Sequence, residues 1–483
     1  MISGTFDPAT YPATREMYAR AVATTLPPAD PGPSVGTGSS GGPATEPPIN
    51  ATATRVDAYY DASTKEYYLQ NTRGVWLPLN EGPFKRHLRG AGYATKPRDG
   101  ELVSAADDVI LQIQNHRDIQ YAGRLCGRKM GFYDEGGTRF LVTSGFELPA
   151  PSPGSWETIR AVIYGLLASQ EAIHGTTQTT IFHGWMQTAL IALKAERIQS
   201  AQTLALAGPA GCGKSLLQSL ITVILGGRAA KAARYMQGAT EFNGELFEAE
   251  HLVLEDEFMS TKISDRLRLA AAIKVASVGS RLQSCHRKNR QAVNLPAWWR
   301  VSITLNDDAE AMMILPPLDE HVQDKITLLR GSRFDFPMPM GTSAEQEAAW
   351  DQLKAEVPAY SHWLLNEFQI PATFADPRRY VIQTWHHPEL KAQLEALSPE
   401  TVLLDMIDEV VFPLHGPTWR GTAAELQRLL LGNYRTDVQA RRLLDWSNAC
   451  GTYLGRLATK VPDRVEESRT ATRRDYIIRE AGR

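Results

Sequence analysis

The stretch GPAGCGKS, residues 208–215, constrains what this chain can fold into more than any other. Gly208, Gly213, Lys214 and Ser215 complete the pattern G-x-x-x-x-G-K-[ST], with Pro209, Ala210, Gly211 and Cys212 in its variable places. Ahead of it, QTLALA (202–207) is short and apolar and predicts a buried parallel strand. Behind it, Leu216, Leu217, Leu220, Ile221 and Ile224 recur at helical spacing, and Gly226-Gly227 ends the helix. A glycine-rich turn feeding a helix start aims backbone N–H groups and the positive end of the helix dipole at one place, which suits a polyphosphate. The expectation is ATP cradled by residues 208–216, with Lys214 on the β and γ phosphates and Ser215 on Mg2+. A glycine-rich turn without a ligand is the plainer alternative; the order strand, loop, Lys-Ser, helix speaks against it.

Composition narrows the partners. The 483 residues suffice for about three domains. A net charge of −3 gives no global basic signature, so any nucleic-acid contact must come from a local patch. No apolar run reaches membrane-spanning length and the first residues lack a signal-peptide core, so the expectation is a cytoplasmic protein with no membrane partner. Cys126, Cys212, Cys285 and Cys450 are scattered without a C-x-x-C pair, which argues against a zinc ribbon or a disulfide framework.

Segment by segment, the expected organisation is as follows. Residues 1–25 form a flexible segment, and 26–50, rich in Pro, Gly and Ser, a linker. Residues 51–155 form an α+β domain, whose aromatic runs and turn signals between 57 and 81 predict a small antiparallel sheet. Residues 156–200 are helical by pattern, 201–340 hold the nucleotide core, and 341–372 read as two helices broken at Pro358. From 373 to 483 come three capped helical segments, a basic stretch and the strand-like 475–478, the order of a winged helix, with Arg442 to Lys460 expected to span its recognition helix and Arg469, Arg473 and Arg474 on the wing.

Two further strands carry chemistry. AEHLVLEDEF (249–258) is an apolar strand ending in three acids. A carboxylate at such a strand end can hold magnesium and a neighbour can polarise water; Asp256 belongs to either pairing, with Glu255 or Glu257 as its partner. WWRVSITLND (298–307) is another buried strand, and Asn306 at its end can orient a lytic water, although Asn is also simply a good turn former. All three motifs fall between residues 208 and 306, too little chain for a large RecA-type core.

In this order GPAGCGKS, EFNGELFEAEHLVLEDEF, IKVASVGSRLQSCHRKNRQAVNLP and VSITLND resemble the motifs of helicase superfamily 3, and among them bacterial and phage primase-helicase-like proteins related to the poxvirus and phage family. The resemblance implies an α/β fold with an AAA-type P-loop NTPase core, an N-terminal α+β domain, a helical collar at 156–200 and a C-terminal winged helix. It also implies an ATPase that works as a homo-oligomeric ring, a hexamer, on single-stranded or forked duplex DNA, in replication of a phage, plasmid or other mobile element, with a primase or replication protein as a further partner. Between the acidic and Asn strands, His286, Arg287, Lys288 and Arg290 surround a turn at Lys288-Asn289; the resemblance makes this the hairpin that grips the DNA backbone, with Lys274 as a further contact. A solvated basic hairpin is the ordinary alternative. The family's trans-acting arginine is replaced here by Lys325, which lacks the bidentate fork; Arg330 and Arg333 are the nearby substitutes. That departure keeps a second expectation open: an ATP-dependent DNA-binding initiator, or a regulatory or defence ATPase, that unwinds nothing.

Overall fold

The computed structural model describes residues 56–168, 173–256, 259–278, 282–469 and 473–480, so the segments 1–25 and 26–50 lie outside the described residues. β1 (Ala58–Asp61), β2 (Glu66–Gln70) and β3 (Trp76–Leu79) form an antiparallel meander. The alternation of their aromatics turns one set of rings toward α1 (Glu81–Gly90) and α2 (Ala105–His116), where Tyr67 stacks on Phe84 with centroids 4.4 Å apart. β4 (Asp118–Ile119) joins β1 in parallel. β5 (Tyr121–Arg124), β6 (Gly131–Glu135) and β7 (Thr138–Ser144) make a second sheet, in which β7 lies between the other two. The first sheet and its helices have a small core of their own, whereas Tyr121, Tyr133, Phe140 and Val142 of the second belong to the main core.

α3 (Glu157–Ala168) and α4 (Gly175–Lys194) follow. Residues 181–190 of α4 are buried without a break at the centre of the core, where the polar His183, Gln187 and Thr188 are hydrogen-bonded. The main sheet is parallel throughout. Its strands and intervening helices are β8 (Thr203–Ala207), α5 (Lys214–Ile224), β9 (Ala229–Lys231), β10 (His251–Glu255) and α6 (Ile263–Val278), then, past the hairpin of β11 (Gln283–Cys285) and β12 (Val293–Leu295), β13 (Arg300–Leu305) and β14 (Ile326–Arg330). The spatial order is β14-β8-β13-β10-β9. From β8 the chain crosses to the far edge and works back, so β13 comes to lie between β8 and β10 and three strand ends share one edge. Ligand crevices in parallel sheets form outside such carboxyl ends.

α7 (Ser343–Asn366) starts at a full capping box between Thr342 and Glu345 and runs unbroken through Pro358, where two helices were expected. An interior proline costs a helix about 3 kcal/mol. Here Leu353, Val357, Tyr360 and Leu364 bury that stretch in the main core, and the helix continues. After the short hairpin of β15 (Ala375–Asp376) and β16 (Val381–Ile382) come α8 (Pro388–Ala396) and α9 (Pro399–His415). The rest is β17 (Thr418–Gly421), α10 (Ala423–Gly432), α11 (Asp437–Leu443), α12 (Ala449–Lys460), β18 (Val465–Arg469) and β19 (Arg474–Arg479), with an antiparallel sheet in the order β17-β19-β18 and a separate core. The span 442–460 is not one helix: α11 ends at Leu443, and Asn448, in the left-handed region at φ 67°, starts α12 afresh.

One buried carboxylate joins the second sheet to the main one. Glu250, fully buried ahead of β10, accepts from the Gly127 N–H at 2.9 Å and from Arg228 Nε at 2.8 Å, and pairs with the Arg228 Nη2 as well. Removing one member of a buried pair strands the other's charge. Glu250→Ala is therefore expected to destabilise the fold by about 3–5 kcal/mol, read as a lower denaturation midpoint; an unchanged midpoint would contradict this account of the junction.

Candidate functional site

The loop after β8 is shaped by its glycines. Gly211 at φ 73° and Gly213 at φ 104° occupy the left-handed region, where a side chain would be strained. Gly213 is the N-cap of α5 and no side chain caps it, so the first N–H groups of that helix stay available. Lys214 is buried, and its ammonium donates to Gly208 O at 2.7 Å, Pro209 O at 2.9 Å and Asn306 Oδ1 at 3.1 Å. Asn306 in turn donates its backbone N–H to Asp256 Oδ2 at 3.2 Å. Lys214, Asn306 and Asp256 thus form one chain across the ends of β8, β13 and β10. Ser215 is exposed on the first turn of α5, and Leu216 is half-buried beside it. Glu255 turns to the sheet edge, where it meets Lys231 Nζ at 3.0 Å. Glu257 lies outside the described residues.

Beneath the loop is a polar network that the apolar patterning conceals. Gln218 of α5 donates to Ser302 Oγ at 2.8 Å, and His251 bonds Ser302 Oγ through Nε2 and Thr222 Oγ1 through Nδ1, each at 2.7 Å. Burial pushes the His251 pKa down to about 3, so the ring is neutral and can donate at one nitrogen while accepting at the other. The available signal was the pair Gln218 and Thr222, polar residues four apart on the face of α5 that meets the sheet.

The basic hairpin turns at Lys288-Asn289, with Asn289 at φ 59° and Lys288 exposed at the tip. Two of its cations face the N-terminal sheets: the Arg287 guanidinium sits 4.5 Å from the centre of the Tyr121 ring, and Arg290 lies 3.8 Å from the Asp61 carboxylate. His286 Nε2 bonds Ser284 Oγ at 2.9 Å. Asn243 fastens the hairpin: its amide donates to Ser284 O at 3.0 Å, its Oδ1 accepts from the His286 N–H at 2.6 Å, and its own N–H donates to His286 O at 3.0 Å. Lys274 is half-buried on α6.

The three finger candidates separate. Lys325 precedes β14, at the end of the sheet opposite the loop, and its ammonium meets Asp324 at 2.5 Å; the same carboxylate takes Arg379 at 2.6 Å. Arg330, at the other end of β14, reaches Glu389 at 2.5 Å. Arg333 lies against the loop after β8 of its own chain, with Nη2 3.3 Å from Ala210 O.

No family model matches this chain, and no curated protein matches it. Among solved structures, the apo A form of the NrS-1 C-terminal region is similar with a TM-score of 0.49 and 11% identity, over 88% of this chain and 96% of that one. SCCmec type IV Cch, described as an active helicase, gives a TM-score of 0.28 at 11% identity, over 83% of this chain and 72% of its own. The JCV helicase gives 0.22 at 14% identity, over 43% and 59%.

Cys212, inside the loop, is buried, and burial raises its thiol pKa despite the opposing charge of Lys214. Burial likewise pushes Cys126 and Cys450 up to about 12 and Cys285 to about 11. The reactive thiolate is therefore scarce at neutral pH and becomes available only well above it or on unfolding. A disulfide reagent at pH 8 is expected to find no fast-reacting thiol in the folded protein and four after denaturation, the number of cysteines in the chain; a rapid titration of Cys212 would contradict the packing of the loop.

Proposed function

We propose that this chain is an ATP-driven DNA helicase or translocase of superfamily 3, assembling into a hexameric ring, in the replication of a phage, plasmid or other mobile element. The observation that carries the reading is the chain Lys214–Asn306–Asp256 across three adjacent strand ends, beside an uncapped helix start. A parallel sheet with β13 between the loop strand and the acidic strand is what an AAA-type core needs to set an amide next to the terminal phosphate. The donor set suits ATP: open space surrounds Gly211, the N-terminus of α5 is free for an anion, and a cation stands within the loop. Ser215 and Asp256 offer the hard oxygen ligands that Mg2+ takes, and the bound ion would neutralise charge on the phosphates.

Lys214 would exchange its two loop carbonyls for phosphate oxygens, a gain because an anionic oxygen adds direct charge attraction to the hydrogen bond that the ammonium already makes. Asn306, fixed by its N–H on Asp256, would orient the attacking water, and Glu255 or Glu257 would accept its proton. Lys325 or Arg330 of a neighbouring subunit would complete the site from outside. Lys288, exposed at the hairpin tip, would hold one DNA strand by its phosphates, with His286, Arg287, Arg290 and Lys274 as further contacts. The C-terminal unit, with the order helix, strand, three helices, two strands and its sheet β17-β19-β18, we read as a winged helix. A second reading, an initiator or regulatory ATPase without unwinding, is favoured by the contacts that turn Arg287 and Arg290 toward Tyr121 and Asp61.

ATP hydrolysis by the purified protein with and without single-stranded DNA separates the two. The motor reading expects stimulation by DNA, loss of that stimulation in Lys288→Ala with basal hydrolysis kept, and a kcat lowered about a hundredfold in Asn306→Ala. Hydrolysis indifferent to DNA would favour the second reading, and full activity in Asn306→Ala would contradict both.

A further inference from the structure

The segment after β14 is pinned against both ends of the phosphate loop, and this fixes the residue between the pins. At one end, Gly331 donates its N–H to Ala207 O at 2.7 Å, and its carbonyl approaches Gly208 so closely that a Cβ on Gly208 would stand 2.5 Å from Gly331 O. That is closer than any side chain allows, so the contact exists because residue 208 is glycine. Ser332 is held by its N–H on Leu166 O at 2.8 Å. At the other end, the Phe334 ring lies where a Cβ on Gly213 would be 3.3 Å away and one on Gly165 only 2.4 Å. Arg333 stands between these anchors, exposed, with its guanidinium on the Ala210 carbonyl.

We infer that Arg333 contacts the outer phosphates of the nucleotide bound by its own chain, rather than reaching a neighbour's site; the inference rests on the nucleotide-binding reading above. The Ala210 carbonyl that it meets is a neutral acceptor, and a phosphate oxygen is the stronger acceptor for the same donor. Lys214 lies within the loop and Arg333 over its outer side, so a polyphosphate would meet a cation from each. The guanidinium fork takes two oxygens at once, a geometry that lysine cannot copy.

Two experiments test this. In the first, a fluorescent non-hydrolysable ATP analogue and ADP are titrated into wild type, Arg333→Ala, Arg333→Lys and Lys214→Ala. Arg333→Ala is expected to weaken the analogue about tenfold, more than it weakens ADP, with incomplete recovery in Arg333→Lys. No binding by wild type would overturn the nucleotide reading and the inference with it, whereas tight binding by wild type and Arg333→Ala alike would overturn the inference alone. In the second, Arg333→Ala and Lys214→Ala chains are mixed before hydrolysis is assayed. An arginine serving its own chain leaves no complete site in the mixture, so activity stays low; recovery would mean that the Lys214→Ala chain lends its Arg333 to a neighbour, and would overturn the assignment.

Discussion

The buried Lys214 has three acceptors for its ammonium: two carbonyls of its own loop and the Asn306 amide oxygen. A buried lysine with fewer partners would be costly, so the loop must keep its shape and β13 must lie against β8 for that charge to be tolerated. The N–H of Asn306 extends the constraint to Asp256, and the strand order brings all three ends together. The arrangement of these strand ends, set by the sheet ladders, is one that satisfies the buried cation.

Around that constellation, side chains stitch separate layers to the sheet. Glu250 ties the second small sheet to β10 through Gly127 and Arg228. Asn243 uses both ends of its amide and its own N–H to hold the basic hairpin, and the chain then runs on through Glu250 into the acidic strand. His251 joins Thr222 of α5 to Ser302 of β13 from the strand between them in sequence.

The glycine loop after β8, the acidic strand and the Asn strand were legible in the sequence as structural elements because each rests on local rules: glycine at a sharp turn, a short apolar run, a polar residue at its end. The hairpin turn was legible for the same reason, since Asn289 accepts a left-handed backbone. What could not be read was pairing at a distance. Nothing in the segment around Arg333 announces that Gly331 meets Gly208, or that Arg287 lies on Tyr121 rather than in solvent. Pro358 misled because a local rule against proline was outweighed by burial of the helix around it. The helix expected across 442–460 failed at Asn448, whose left-handed conformation breaks it where composition alone gives no stop.

The claim on which the rest depends is that this loop binds a nucleotide through Lys214. Calorimetric titration of Mg-ATP into the full chain tests it most directly, with Lys214→Ala alongside. The account predicts one binding site per chain in wild type and none in the variant; no binding in wild type, or equal binding in both, would contradict it.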